Sequence, residues 1–199
     1  MKKIAILTIN DDNNYGNRLQ NYAVQETLKK LNIQVETISN QLEIRYIKKK
    51  IKYIIKFFLQ IVPKYKRYIK FTKFNKNIRY SKYHIDINHI PKNLSKKYDT
   101  FFTGSDQVWN PNFGRMTDID FLTFAPKEKR NSFSASFGIN EVPKDMVEYY
   151  KKNLLGLNNI SVREDAGKKI IQDLTGRTDV DVLVDPTMLL TSEEWDKVS

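Results

Sequence analysis

The sequence of 199 residues predicts an α/β fold: an open, mostly parallel sheet of about six strands with helices on both faces, plus a basic helical insertion. Two observations predict it. Short, nearly all-apolar runs, as expected of strands buried on both faces, alternate with segments whose apolar residues recur at helical spacing. Positive charge is concentrated in one block, which sets the insertion apart from the rest of the chain.

Residues 3–9 form the first strand. Two lysines precede this apolar run as they would in a signal peptide, but the polar stretch from Asn10 cuts it short and no small-residue cleavage site follows. Residues 11–16 make a loop, and Leu19, Ala23, Leu28 and Leu31 then mark a helix. Residues 35–38 are the second strand, which predicts a parallel pair joined by a right-handed crossover. From 44 to 62, apolar positions 44, 47, 51, 54, 55, 58 and 61 or 62 follow a helical period opposite lysines, and Pro63 ends that helix. A second basic helix over about 65–79 carries Tyr68, Ile69, Phe71, Phe74 and Ile78, so the insertion covers about 44–85.

The alternation then resumes. Strands are expected at 100–103, 131–137, 160–162 and 180–184, with helices at 143–155 and 165–174. The whole chain, 1–199, reads as a single lobe carrying the insertion.

Composition excludes several chemistries. There is no cysteine, hence no disulfide framework, thiolate metal site or cysteine nucleophile. The histidines His84 and His89 lie in a poorly patterned segment away from any carboxylate cluster at metal-ligand spacing, so they read as surface or loop residues and no metal is expected. No window of about 18 uncharged apolar residues could span a membrane. The formal net charge is +11, yet residues 44–85 hold 14 Lys or Arg and no acid, leaving 20 basic against 23 acidic residues elsewhere. That block calls for an anionic neighbour: a membrane surface, nucleic acid, or only solvent and counterions.

The unusual polar clusters follow the strands. In a parallel sheet their carboxyl ends share one edge, where open α/β folds bind ligands. In NYGNRLQNYA (14–23), Asn14, Gly16, Asn17 and Gln20 are either turn and cap or a binding rim, with free helix N–H groups available to an anionic or hydroxyl-rich ligand and Arg18 adding charge. Gly16 alone does not make the dinucleotide fingerprint. In GSDQVWNP (104–111), Gly104 turns the chain off its strand, Ser105, Asp106, Gln107 and Asn110 offer donors and acceptors, and Trp109 offers a flat face; the mixture suits a sugar. The alternative places Trp109 in the core with Asp106 capping a helix. In SVRED (161–165), Arg163 either holds a carboxylate or phosphate or pairs with Glu164, Asp165 or Asp185 as scaffold, and Asp185 is either a turn former or a ligand.

The ordered series NYGNRLQNYA, a basic helical region with Phe71 and Phe74, FTGSDQVWNP, SFSASFG, ISVREDAG and VLVDPTMLLTSEEW closely resembles the polysaccharide pyruvyl transferase family over nearly the whole chain. The resemblance implies a Rossmann-like lobe of a GT-B-like, two-lobed architecture. It implies transfer of a pyruvyl group from phosphoenolpyruvate to a sugar of an exopolysaccharide, or of its lipid-linked oligosaccharide precursor, as a ketal. That reaction needs a proton donor to C3 and cations for carboxylate and phosphate, and no cofactor or metal beyond the donor.

Family members usually continue into a further lobe expected to carry a catalytic histidine and arginines; neither His84 nor His89 matches that histidine. What carries over is an acceptor-side half-site. Asp106 is expected to orient or deprotonate an acceptor hydroxyl and Arg163 to face the donor's charge, with Asn14, Gly16, Asn17, Gln20, Ser105, Gln107 and Trp109 as acceptor contacts. The implied protein is cytoplasmic, peripheral on the inner membrane face through 44–85, and inactive without a second lobe or a second copy. A glycan-binding lobe without chemistry, a truncated remnant and a basic nucleic-acid binder are the competing readings.

Overall fold

A computed structural model of the protein describes residues 1–10, 14–40, 51 and 62–198. The elements are β1 (Lys3–Leu7), α1 (Tyr15–Lys30), β2 (Gln34–Ser39), α2 (Val62–Asn75), β3 (Tyr80–His84), β4 (Thr100–Thr103), β5 (Arg130–Ser132), α3 (Val147–Leu155), β6 (Ile160–Val162), α4 (Asp165–Thr175), β7 (Val180–Val182) and α5 (Ser192–Asp196). Five strands form a parallel sheet in the order β3-β2-β1-β4-β5. β6 and β7 pair in parallel, and β6 lies beside β5 through the bridges Asn131↔Asn159 and Ala135↔Val162. This is the arrangement of a Rossmann-like lobe, flanked by helices.

The alternation of β1 sorts its side chains. Ile4 and Ile6 meet Val24 and Leu28 of α1 and Val35 of β2 on one face. Ala5 and Leu7 face the other way and pack with Ile38, Phe101, Tyr98, Ile119 and Leu122. That second face is covered by 3-10 turns, Leu94–Lys96 and Asp118–Phe121, within the long connections around β4. Beyond β5 a third cluster joins Trp109, Phe121, Phe137, Tyr150, Leu154, Val162 and Ile171.

The fold departs from expectation in four places. Among the described residues seven strands form, in a five-stranded sheet and a two-stranded pair rather than one sheet of about six, and Tyr80–His84, assigned to a helical insertion, is the edge strand β3 and pairs with β2. α2 is therefore the crossover between two neighbouring parallel strands. Pro63 lies in its first turn, where a missing N–H costs nothing, and Phe71 and Phe74 pack against Tyr15 and Tyr22 of α1, tilted at 4.3 Å and edge-on at 5.6 Å. The helix expected over 44–62 falls almost wholly outside the described residues.

The strand expected at 131–137 stops at Ser132, since Ser134 takes φ +48° and breaks the extended run. The strand expected to run to 184 ends as β7 at Val182, although the Leu183 N–H still bonds the Val162 carbonyl at 2.8 Å. Among the described residues no helix is long and apolar enough to cross a membrane.

Candidate functional site

β1 pairs with β2 on one side and β4 on the other, so the chain leaves β1 and β4 in opposite directions around the sheet. The crevice outside the carboxyl ends of those two strands is the topological switch point, where an open α/β sheet leaves room for a ligand.

Both loops there are polar, and they touch. Asn14 caps α1, its side chain accepting from the Asn17 N–H at 3.4 Å. The cap leaves the Asn17 side chain free to turn inward, and its amide nitrogen donates to the buried carboxylate of Asp106. The other Asp106 oxygen accepts the Gln107 N–H at 2.7 Å. The Asp106 carbonyl accepts the N–H groups of Val108 and Ser136 at 2.7 and 3.0 Å, which ties this loop to the segment after β5.

Gly104 makes the turn possible. It stands at φ +112°, and a Cβ there would lie 2.5 Å from the Phe133 carbonyl oxygen. The Gly104–Ser105 peptide is cis.

On the segments that leave β1 and β4, Thr8 Oγ1, Asn17 Oδ1, Gln20 Oε1 and Ser105 Oγ are buried with no hydrogen-bond partner among the described residues. Buried polar atoms nearly always find partners, so these orphans on the segments that follow β1 and β4 point to a hydroxyl-bearing ligand.

Arg163 closes the other side. Its Nη1 donates to Asp185 Oδ2 at 2.9 Å and to the Ser105 carbonyl at 3.4 Å, and its Nε lies 3.6 Å from Glu164. Asp185 Oδ2 also accepts from Gln20 Nε2 at 2.7 Å, while its other oxygen takes the N–H and hydroxyl of Thr187 at 3.0 and 2.8 Å. Burial by itself would raise the Asp185 pKa, but these donors and Arg163 outweigh it and hold the carboxyl below its usual range. Asp185 is thus the hub joining α1, β6 and the turn after β7. The sequence leaves Asp185 open between turn former and ligand and offers it as one partner of Arg163; the structure makes it both the turn former before Pro186 and the partner of Arg163.

The structure brings together Asn17, Gln20, Ser105, Asp106 and Arg163, with Asn14 and Gly16 exposed at the mouth of α1 beside them. Two expectations need correction. Trp109 is not an open stacking face: it is 0% exposed, its ring lies parallel to Phe121 at 5.6 Å, and its Nε1 donates to the Asp120 carbonyl at 3.1 Å. Arg18 does not charge the rim: it is buried, and its Nη1 donates to the Tyr80 hydroxyl of β3 at 2.5 Å. Gln107 stays within its own loop, accepting from Asn110 Nδ2 at 2.8 Å under Gly138, where a Cβ would come within 2.5 Å of its oxygen.

The histidines stand apart from this crevice. His84 ends β3 as a strand residue rather than a loop one, and exposed His89 pairs with Asp86 at 2.9 Å. Among the described residues no group of three or more His, Asp or Glu is placed to hold a metal ion.

Comparison with known proteins gives one match: the family model for polysaccharide pyruvyl transferase aligns with residues 14–199. No curated protein and no solved structure matches the chain.

Proposed function

Because the chain belongs to the polysaccharide pyruvyl transferase family, we propose that it acts in forming a pyruvyl ketal from phosphoenolpyruvate on a sugar of a cell-surface polysaccharide or its lipid-linked precursor. Its own part is to hold the acceptor sugar. The observation that carries this reading is the crevice where Asn17 meets Asp106 among the orphaned oxygens of Thr8, Asn17 and Ser105.

In the reaction, two hydroxyl oxygens of a sugar diol bond to C2 of the enolpyruvyl group and the bond from C2 to the phosphate oxygen breaks. One proton equivalent from the hydroxyls ends on C3, turning methylene to methyl, and the other leaves with phosphate. Asp106 is suited to accept a hydroxyl proton: each of its oxygens takes one hydrogen bond from the protein and keeps a lone pair for the acceptor. Asn17 and Gln107 N–H fix its plane, and Ser105 and Thr8 supply hydroxyls to the neighbouring sugar oxygens.

Among the described residues Arg163 is the cation held at this rim, and Asp185 and Glu164 already neutralise much of its charge. Further cations for phosphate and carboxylate, and the acid that protonates C3, are therefore assigned to a second lobe or a second copy of the chain facing this edge. A phosphoenolpyruvate donor would support a cytoplasmic site of action.

The test uses oligosaccharide repeating units released from the producing cell's own polysaccharide by mild acid, which removes pyruvyl ketals and regenerates the diol. Calorimetry should show binding to the chain that weakens at least tenfold in Asp106→Ala. Phosphorus NMR should show no phosphate release from phosphoenolpyruvate by this chain alone. Equal binding by the variant overturns the role of Asp106, and phosphate release by the chain alone overturns the assignment of the donor side to another lobe.

A further inference from the structure

The outer face of α2 takes no part in that site. Phe71, Phe74 and Ile78 point inward, Phe71 and Phe74 onto the aromatic rings of α1. At a spacing of 3.6 residues per turn, the opposite side of α2 presents Ile69 and Lys73, flanked by Lys70, and Lys76 follows in the turn after Asn75, all exposed. None of these three lysines has a carboxylate partner among the described residues.

Further exposed cations follow in the chain. Lys82 of β3 is exposed, and Arg79 just before β3 is exposed with only a long 3.8 Å approach to Glu36. The whole stretch 44–85 holds 14 basic residues and no acid, while the rest of the chain is slightly acidic. A solvated helix face ordinarily mixes both signs, with acids four residues from lysines. Here the missing acids leave a face of one sign, complementary to an extended anionic surface.

Ile69 indicates which one. A large aliphatic side chain, 45% exposed in the middle of a lysine stripe, gains nothing from a phosphodiester backbone but is favourable at the boundary of headgroups and acyl chains. We propose that the outer face of α2 and the turn that follows it, Ile69 with Lys70, Lys73 and Lys76, dock the protein on an anionic lipid surface, with lysines among the headgroups and Ile69 inserted below them. This assignment does not depend on the sugar crevice, because its readout involves neither acceptor nor donor.

The experiment is co-sedimentation of the full chain with vesicles of phosphatidylglycerol and, in parallel, of phosphatidylcholine, across a salt series, beside a binding curve on a 20-base-pair DNA duplex. The expected result is uptake on the anionic vesicles alone, falling steeply with salt. Each cation near such a surface contributes about fivefold to partitioning, so Lys70→Glu, Lys73→Glu and Lys76→Glu combined should weaken it at least tenfold. Ile69→Ser should weaken it about threefold with the salt dependence kept. All four side chains are exposed, and circular dichroism of the variants verifies folding; Lys70→Gln, Lys73→Gln and Lys76→Gln provide a milder set. No uptake on anionic vesicles, uptake indifferent to both lysine sets, or tighter binding to the duplex than to the vesicles would each overturn the proposal.

Discussion

Residues 104–111 divide between two environments that could hardly differ more. Ser105 and Asp106 end in a polar crevice with hydrogen-bonding capacity to spare, whereas Trp109, three residues beyond Asp106, is sealed in an aromatic stack with Phe121, Phe137 and Tyr150 behind it. Tyr150 bonds the Trp109 carbonyl at 2.6 Å, so even the backbone of this half is held from the core side. The difference teaches that the apolar half of the loop serves as an anchor. It fixes the position of the polar half, which is held by hydrogen bonds and backbone contacts rather than by apolar side chains, and stability and ligand recognition should therefore respond to different residues of one loop.

The sharpest way to break this division is Trp109→Ala. Removing a fully buried indole from the stack should cost about 4 kcal/mol, read from the denaturant midpoint; a loss under about 1 kcal/mol would mean the anchor lies elsewhere. Gly104→Ala, which forces a Cβ against the Phe133 carbonyl at a positive φ, should cost about 3 kcal/mol by the same measurement.

Asp120 sharpens the core side. Burial raises its pKa to about 6, only partly offset by hydrogen bonds from Thr117. An unfolded Asp titrates near 3.9, so the folded state holds the proton more tightly. The stabilisation is present below about pH 4 and is lost as pH rises through 6, on the order of 3 kcal/mol in all. Asp120→Asn should flatten urea stability between pH 4 and 7; an unchanged slope would show that another group titrates there.

On the rim side, Asp185→Asn should cost about 1 to 2 kcal/mol by loosening Arg163 and Gln20. It should also weaken acceptor binding without abolishing it, as expected of a positioning residue. The smallest effect on stability belongs to Asp106→Asn, within about 1 kcal/mol. That near-silence, paired with loss of acceptor binding, is what separates the two halves.

Much of this was legible in the chain, for identifiable reasons. β4 and β6 coincide with their expected bounds because apolar runs bounded by turn residues mark buried parallel strands. The shared edge followed from the alternation alone. β3 escaped because its inward residue is Ser81, which bonds the Tyr98 hydroxyl at 2.8 Å, so a strand buried through a polar contact shows no apolar pattern. The serines of 132–136 were visible as a pattern but not as a function: Ser132 and Ser161 exchange hydrogen bonds across β5 and β6 at 2.8 and 2.9 Å. The side taken by Trp109 was not legible, since its partners Phe121, Phe137 and Tyr150 are distant in sequence. The pairing of Asp185 with Arg163 was among the alternatives the sequence offered, whereas its bond from Gln20 was not legible, because Gln20 reaches it only through the fold.

The most direct measurement of the central claim is an amide chemical-shift map of the chain titrated with the depyruvylated oligosaccharide. Shifts should gather on residues 14–20, 104–107 and 163, leave the Trp109 and Tyr150 core signals in place, and vanish in Asp106→Ala. Shifts centred on any other part of the molecule, or a map unaltered by that substitution, would contradict it.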